Sequence, residues 1–288
     1  MKDTNYQNLL FLLLSTLLLS TSGPLGKFIN LDPPVIIWSR CILASLCLFI
    51  FYSIKKVNLK LSSKKDYITL VISALFFAGH LITYFYALKL SNVAIGMLSL
   101  FTYPMITALI EPIFIKVKFD SVYILLSLIV LLGLYILSPE YSIENTYFEA
   151  ILFGLLSALL YALRNIISKK LISKYSGKSI MFNQLVVISI VLFPVIFLFD
   201  TQNISTQYPY LIMLALITTA IGHTMLVSSF KHFSVSTASI ISSLQPIFGI
   251  ILAFIFLNEK PNINTYIGGS LILLTVIIES IREQKRKT

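Results

Sequence analysis

Apolar residues along this 288-residue chain gather into ten stretches, at roughly 8 to 27, 34 to 54, 67 to 88, 93 to 115, 121 to 138, 148 to 168, 180 to 199, 209 to 230, 235 to 257 and 263 to 281. Charge, proline or asparagine bounds each one. A helix rises 1.5 Å per residue, so about 20 apolar residues cross a hydrocarbon core of about 30 Å. The pattern therefore predicts an all-α polytopic membrane protein with ten transmembrane helices. Too few residues lie between the stretches to build a separate soluble domain.

Laying the second half on the first at an offset of 142 pairs Ser15 with Ser157, Lys27 with Lys169, Lys89 with Lys231 and Pro104 with Pro246, without a gap. One duplicated unit explains the register, with residues 1–140 as the first five-helix repeat and 141–288 as the second. Five is odd, so the second unit enters the membrane from the opposite side, an inverted repeat. Lys2, the leucine-rich run behind it and the Thr21, Ser22, Gly23 end resemble a signal peptide. The counterpart of that run in helix six makes it structural instead.

Composition agrees: 57% of residues are hydrophobic and 12% charged, where soluble domains carry about 25% charge. The net charge of +10 invites nucleic acid as a partner, but the cations are dispersed over short loops and mark positive-inside bias instead. With both termini in the cytoplasm, that side collects Lys2, Lys55, Lys56, Lys60, Lys64, Lys65, Lys116, Lys118, Lys169, Lys170, Lys174, Lys178, Lys231, Arg282, Lys285, Arg286 and Lys287. The outside keeps Lys27, Lys89 and Lys260, and Arg40 and Arg164 fall within spans. The expected location is the cytoplasmic (inner) membrane, with the bilayer as the first partner. Cys41 and Cys47 share one span without metal-ligand or disulfide spacing and read as core thiols. No metal or cofactor is expected, and no GxxxxGK[ST] motif supplies ATP chemistry.

Polar residues inside the spans are the candidate chemistry. Ser157, Tyr161, Arg164 and Ser168 follow at spacings of four, three and four, so helix six carries them on one face. Ser15, Ser22 and Gly26 occupy the matching face of helix one, and the two faces are expected to look at each other. Arg164 either lines a cavity or snorkels to the interface. His80 in helix three and His223 in helix eight, each preceded by glycine, stand one residue off the 142 offset. Tyr84 lies one turn beyond His80. Helix four aligns Ser99, Tyr103, Thr107 and Glu111. Pro104 and Pro246 each remove a backbone donor in mid-span, freeing a carbonyl near residues 100 and 242, and such paired breaks point to a midplane site. The candidate cavity-lining set is Ser22, His80, Tyr84, Tyr103, Tyr161, Arg164 and His223, between helices one, three, four, six, eight and nine. Glu111 is a candidate proton carrier, because a buried carboxyl group holds its proton closer to neutrality, or else it neutralises Lys116 and Lys118. Arg40 is expected to pair with a neighbour or a carbonyl. Gly249, Ala253, Gly268 and Gly269 allow close helix contact within one chain or between two, so a monomer and a homodimer both stand.

The segment SVSTASIISSLQPIFGIILAFIFLNEK, with Pro246 followed thirteen positions later by Glu259, resembles the drug/metabolite transporter superfamily of EamA type. The first repeat matches it in SNVAIGMLSLFTYPMITALIEPIF, which supplies Pro104. Val117 stands at the position equivalent to Glu259, and Glu111 follows Pro104 by seven residues. Whether Glu111 replaces the family glutamate or has another task stays open. The resemblance implies two inverted five-helix units and a secondary transporter of amino acids, amines, nucleotide-derived metabolites or drugs, more often by export.

The expected function is movement of a small amino-acid-like or other organic solute by alternating access, with protons as a candidate coupling ion. Two other classes compete. An intramembrane enzyme acting on a lipid-linked substrate needs a nucleophile or metal constellation, yet HExxH, GxSxG and paired intramembrane aspartates are missing. A structural or receptor protein gives no reason for paired helix breaks.

Overall fold

The computed structural model describes residues 2–114, 122–137 and 146–287, and among these the secondary structure is helical. Helix α1 runs Lys2–Ser20 and, after a break at Thr21, Ser22–Phe28. Next come α2 (Pro33–Ile54), α3 (Lys64–Leu90), α4 (Val93–Leu100 and Tyr103–Phe114) and α5 (Val122–Leu137). The second half holds α6 (Thr146–Ile172), α7 (Gly177–Val191, then Val195–Leu198) and α8 (Ile204–Met213, Leu214–His223 and Thr224–Ser229). Helices α9 (Val235–Ser242 and Gln245–Leu257) and α10 (Ile263–Lys287) complete it. Eight of these units are long and apolar enough to cross a membrane, and shorter apolar helices at Ile124–Ile136 and Ile263–Thr275 supply the other two. The architecture is a ten-helix bundle of two inverted five-helix repeats.

Local chemistry sets the helix starts. Asn92 accepts a hydrogen bond from the Ile95 N–H (2.9 Å) and its 142-offset mate Ser234 accepts one from Thr237 (3.0 Å), each satisfying an orphan donor. Ser63 and Ser176 cap α3 and α7 in the same way. Pro33 and Pro34 open α2, where a missing N–H costs nothing. Asn258 closes α9 in the left-handed conformation at φ 56°.

The repeat is visible in the backbone. Helix α4 breaks at Phe101 and Thr102 and α9 at Ser243 and Leu244, the same positions at the 142 offset. Pro104 and Pro246 therefore sit in the first turn of a second half-helix, not inside a continuous one. The breaks are closed by tight turns, with Thr102 N–H on Ser99 O (3.4 Å) and Leu244 N–H on Ile241 O (3.3 Å).

Large apolar side chains such as Phe49, Leu131, Phe197 and Phe256 face outward, while Arg40, Arg164, Ser157, Gln184 and Thr218 are fully buried. That is the distribution for a lipid solvent, where polar groups must find partners inside. Helix α6 packs along α3, α1 along α8, and α5 along α10. The expectation that the polar faces of α1 and α6 look at each other is thus corrected. Ser157 Oγ donates to the His80 carbonyl of α3 (2.9 Å), and Ser15 Oγ donates to the Gly222 carbonyl of α8 (2.8 Å). Each serine finds a carbonyl where its own helix lies closest to a neighbour.

Small residues serve contacts within the chain. A Cβ on Gly249 would stand 2.1 Å from Met97 Sδ, and one on Gly133 would stand 2.8 Å from the Gly268 carbonyl oxygen. Cys41 is buried, but Cys47 is exposed on the outward face of α2 and is not a core thiol. Six residues turn a helix by about 600°, so the two thiols cannot share a face.

Candidate functional site

Helix α3 presents Phe77, His80 and Tyr84 at helical spacing toward the bundle centre. Ser157 of α6 donates its hydroxyl proton to the His80 carbonyl, so its oxygen is left to accept from His80 Nδ1, 2.8 Å away. The Ser157 carbonyl, 3.3 Å from the same nitrogen, can only accept. Both contacts assign the proton of a neutral imidazole to Nδ1 and leave Nε2 as the acceptor nitrogen. The ring is stacked on Tyr161 with centroids 4.1 Å apart and on Tyr84 at 6.2 Å.

Tyr161 joins the rest. Tyr103, first residue of the second half of α4, meets it edge-on at 4.9 Å, and its hydroxyl reaches the Ser239 carbonyl of α9 at 3.4 Å. His223 of α8 meets Phe77 edge-on at 4.9 Å and Tyr161 at 6.3 Å, and its Nδ1 is buried without a partner. By bonding pattern the true mate of His80 is Gly222, whose bare backbone lets Leu19, the mate of Tyr161, pack at 3.0 Å from where a Cβ would be. His223 reaches the centre from the next position along.

Arg164 is turned inward with no exposed surface, so it does not snorkel. Its Nη1 donates to Asn165 Oδ1 (3.0 Å) and its Nη2 to Gln184 Oε1 (2.7 Å). Gln184 in turn donates to Ser73 (2.8 Å) and Ser168 (3.1 Å). The guanidinium lies 4.2 Å from the Phe77 ring centroid, a cation–π contact. Nε is buried without a partner. Ser22 is buried in the second half of α1, beside Gly23, where a Cβ would lie 2.9 Å from the Tyr84 hydroxyl.

His80, Tyr84, Tyr103, Tyr161, Arg164 and His223 thus form one cluster, each at most 5% exposed. The cluster is thus closed off from solvent. A groove of about 310 Å³ lined by Thr21, Pro24, Phe28, Tyr210, Ile217 and Phe256 among others opens between α1, α8 and α9, and none of the cluster residues lines it. The groups present can accept and donate hydrogen bonds, offer flat aromatic walls and attract an anion. No cluster of metal-ligating side chains exists among the described residues.

Glu111 is half-buried and within electrostatic reach of Lys169. Lys116 and Lys118, its expected partners, lie outside the described residues. Glu259 accepts from the Val93 N–H at the start of α4 (2.8 Å) and acts on Lys27. Lys27 and Lys169 are repeat mates. Lys27 caps the Leu88 and Ser91 carbonyls (2.9 and 2.5 Å), and Lys169 caps Phe230 and Phe233, their mates (2.9 Å to Phe233). Glu111 therefore stands toward Lys169 as Glu259 stands toward Lys27.

The EamA-like transporter family matches residues 7–138 and 148–281. The chain belongs to that family. Over 211 residues it is 26% identical to the pseudopaline exporter of Pseudomonas aeruginosa, covering 72% of this chain and 73% of that one. A S-adenosylmethionine uptake transporter of Rickettsia conorii is 24% identical over 78% of this chain and 75% of its own. An uncharacterized transporter of Archaeoglobus fulgidus is 28% identical over 51% of this chain, a match spanning about half (53%) of that relative's length. One solved crystal structure superimposes with a TM-score of 0.73 at 14% identity, covering 98% of this chain and 99% of the other, a likeness of fold. The sequence pattern singled out neither Gln184, Asn165 and Phe77 around Arg164 nor Thr218 and Thr219 of α8. An amide in an apolar stretch, as at Gln184, and adjacent hydroxyls in another were the available signals.

Proposed function

We propose that this transporter carries a small organic solute with an anionic group and an apolar or planar part, such as an amino-acid-like metabolite, by rocking residues 1–140 against 141–288. The observation that carries the reading is the convergence of His80, Tyr84, Tyr103, Tyr161, Arg164 and His223 in one occluded cluster between the repeats. Arg164 would hold the anionic group, the stacked rings would flank the body, and Ser22 would line the side nearest Tyr84. The unpaired nitrogens Arg164 Nε and His223 Nδ1 support the reading, because a buried polar atom without a partner calls for one and a polar ligand supplies it. Paired breaks before Pro104 and Pro246 supply the joints. The lysine-rich ends and both termini are assigned to the cytoplasmic face of the inner membrane, and Glu111 to proton coupling. For direction the reading is export, as for the pseudopaline relative.

The test is flux of a panel of labelled amino acids and organic acids into liposomes holding the purified chain. Flux of a panel member, reduced in Arg164→Ala, is expected. Product formation without flux would replace transport by enzymatic chemistry. Accumulation by inward-driven exchange in cells, without efflux, would reverse the direction. Impermeant thiol labelling at Ser62→Cys and Asn30→Cys, in a chain lacking Cys41 and Cys47, reports orientation: labelling of position 62 from outside overturns it.

A further inference from the structure

Arg40 is a second buried guanidinium, and the carrier site as proposed leaves it without a task. Its Nε donates to Thr219 Oγ1 and its Nη2 to Thr218 Oγ1, both at 2.7 Å, and its face lies 5.5 Å from the Phe85 centroid. Nη1 is buried without a partner. The two threonines both return their hydroxyls to the Leu214 carbonyl (2.6 and 3.2 Å), inside the stretch where α8 widens into a π-helix. Such widening recurs at functional sites. Arg40 is thus held much as Arg164 is, by neutral oxygens and an aromatic face, with one N–H group left over.

The two cations bracket one stripe of α3. Arg164 covers Phe77 and Arg40 covers Phe85, eight residues or about 12 Å of helix rise apart. His80 and Tyr84 lie between them, and both guanidiniums act electrostatically on both His80 and His223. Among the described residues no carboxylate pairs with either one. Each buried cation has lost its hydration, and neutral hydrogen bonds offset only part of that loss. A ligand that brings one negative charge to each relieves both penalties.

We propose that the occluded site takes a dianion with two separate carboxylate-like groups, one on Arg164 and one on Arg40, its middle lying along His80, Tyr84 and Tyr161. This rests on the carrier reading and narrows its substrate class. It assigns Arg40, with Thr218 and Thr219 positioning it, as the second anchor.

The test is calorimetric binding of α,ω-dicarboxylates from succinate to sebacate, against their monomethyl esters, to the purified chain. In the wild type the best diacid should bind at least about ten-fold more tightly than its monoester, with an optimum in length. In Arg40→Gln that preference should vanish while monoester binding persists, and Arg40→Lys should keep part of it. A wild type that binds monoesters as well as diacids, or binds no diacid, overturns the proposal, and this arm needs no variant to fold. Phenyl phosphate, a dianion at a single point, binding more tightly than every diacid overturns it too. Flux of a diacid that Arg40→Gln leaves unchanged would remove the dianion site yet keep the carrier. An absence of flux for every solute would remove the carrier reading, whatever the diacids do.

Discussion

The imidazole of His80 lies against the phenol of Tyr161 with centroids 4.1 Å apart and planes inclined by 18°. One side chain comes from each repeat, so this contact joins the units that the proposed carrier moves against each other. Ser157 fixes the ring from the same helix as Tyr161. Replacing Tyr161 by Phe keeps the stack and should leave flux within about two-fold of wild type. Tyr161→Ala removes it, and offset aromatic pairs are worth about 0.5–1.5 kcal/mol beyond burial, so a loss of flux above about three-fold is expected. Equal flux in both variants would remove the stack from the mechanism.

Ser157→Ala deletes the hydroxyl that directs the His80 proton to Nδ1. In nitrogen NMR of the labelled imidazole, wild type should show a single Nδ1–H tautomer and the variant a mixture, since the Ser157 carbonyl at 3.3 Å is a weaker acceptor contact. A wild-type spectrum dominated by the Nε2–H form would contradict the hydrogen-bond assignment.

How much of this was written in the sequence differs by element. Ten apolar stretches and the 142-residue offset anticipate the helices, and the offset reappears to the residue in the breaks of α4 and α9 because capping and turn chemistry act over a few neighbours. His80, Tyr84 and Tyr161 were legible as faces, since helical spacing alone turns them the same way. The contact of Arg40 with Thr218 and Thr219, in the π-helical stretch of α8, was not, because Arg40 comes from another helix. Nor was the Arg164–Gln184 bond, which needs the packing of α7 beside α6. The facing of α1 and α6 was misread because symmetry alone does not say which neighbour a polar face meets.

Glycine contacts separate rigid from forgiving sites. A Cβ on Gly154 would stand 2.0 Å from Ser99 Oγ and 2.5 Å from its Cβ, and that hydroxyl is held by the Ile95 and Gly96 carbonyls. A Cβ on Gly79 would meet the end of Leu160 at 2.9 Å, which can rotate away. Both substitutions gain about 1 kcal/mol of helix propensity, whereas overpacking costs about 1–3 kcal/mol. Gly154→Ala should therefore lower the melting temperature in detergent, and Gly79→Ala should leave it nearly unchanged. A larger loss at Gly79 would contradict the packing of α4 on α6.

Arg164→Gln replaces the charge but keeps a donor toward Gln184. Losing a buried charge eases insertion, so expression in the membrane should hold while flux of an anionic solute drops by about ten-fold or more, a change of about 1.4 kcal/mol. Neutral solutes should be spared. Flux of anions at the wild-type level would leave Arg164 as a structural cation.

Glu111 and Glu259 provide an internal comparison for coupling. Each acts on a lysine that caps the carbonyls where a neighbouring helix ends, Lys169 for one and Lys27 for the other. If both only hold these ends closed, Glu111→Gln and Glu259→Gln should weaken flux alike and leave its dependence on a pH gradient intact. A proton carrier behaves differently. It must lose and regain its proton during each cycle, and protonation of Glu111 removes its charge attraction for Lys169, which ties proton uptake to that end of the bundle. Glu111→Gln, fixed in the neutral form, should then keep solute exchange at zero gradient but abolish acceleration by an imposed gradient, while Glu259→Gln retains it. Liposome flux measured with and without a pH step decides: acceleration that survives Glu111→Gln rejects Glu111 as the carrier, and none in wild type makes the protein a uniporter.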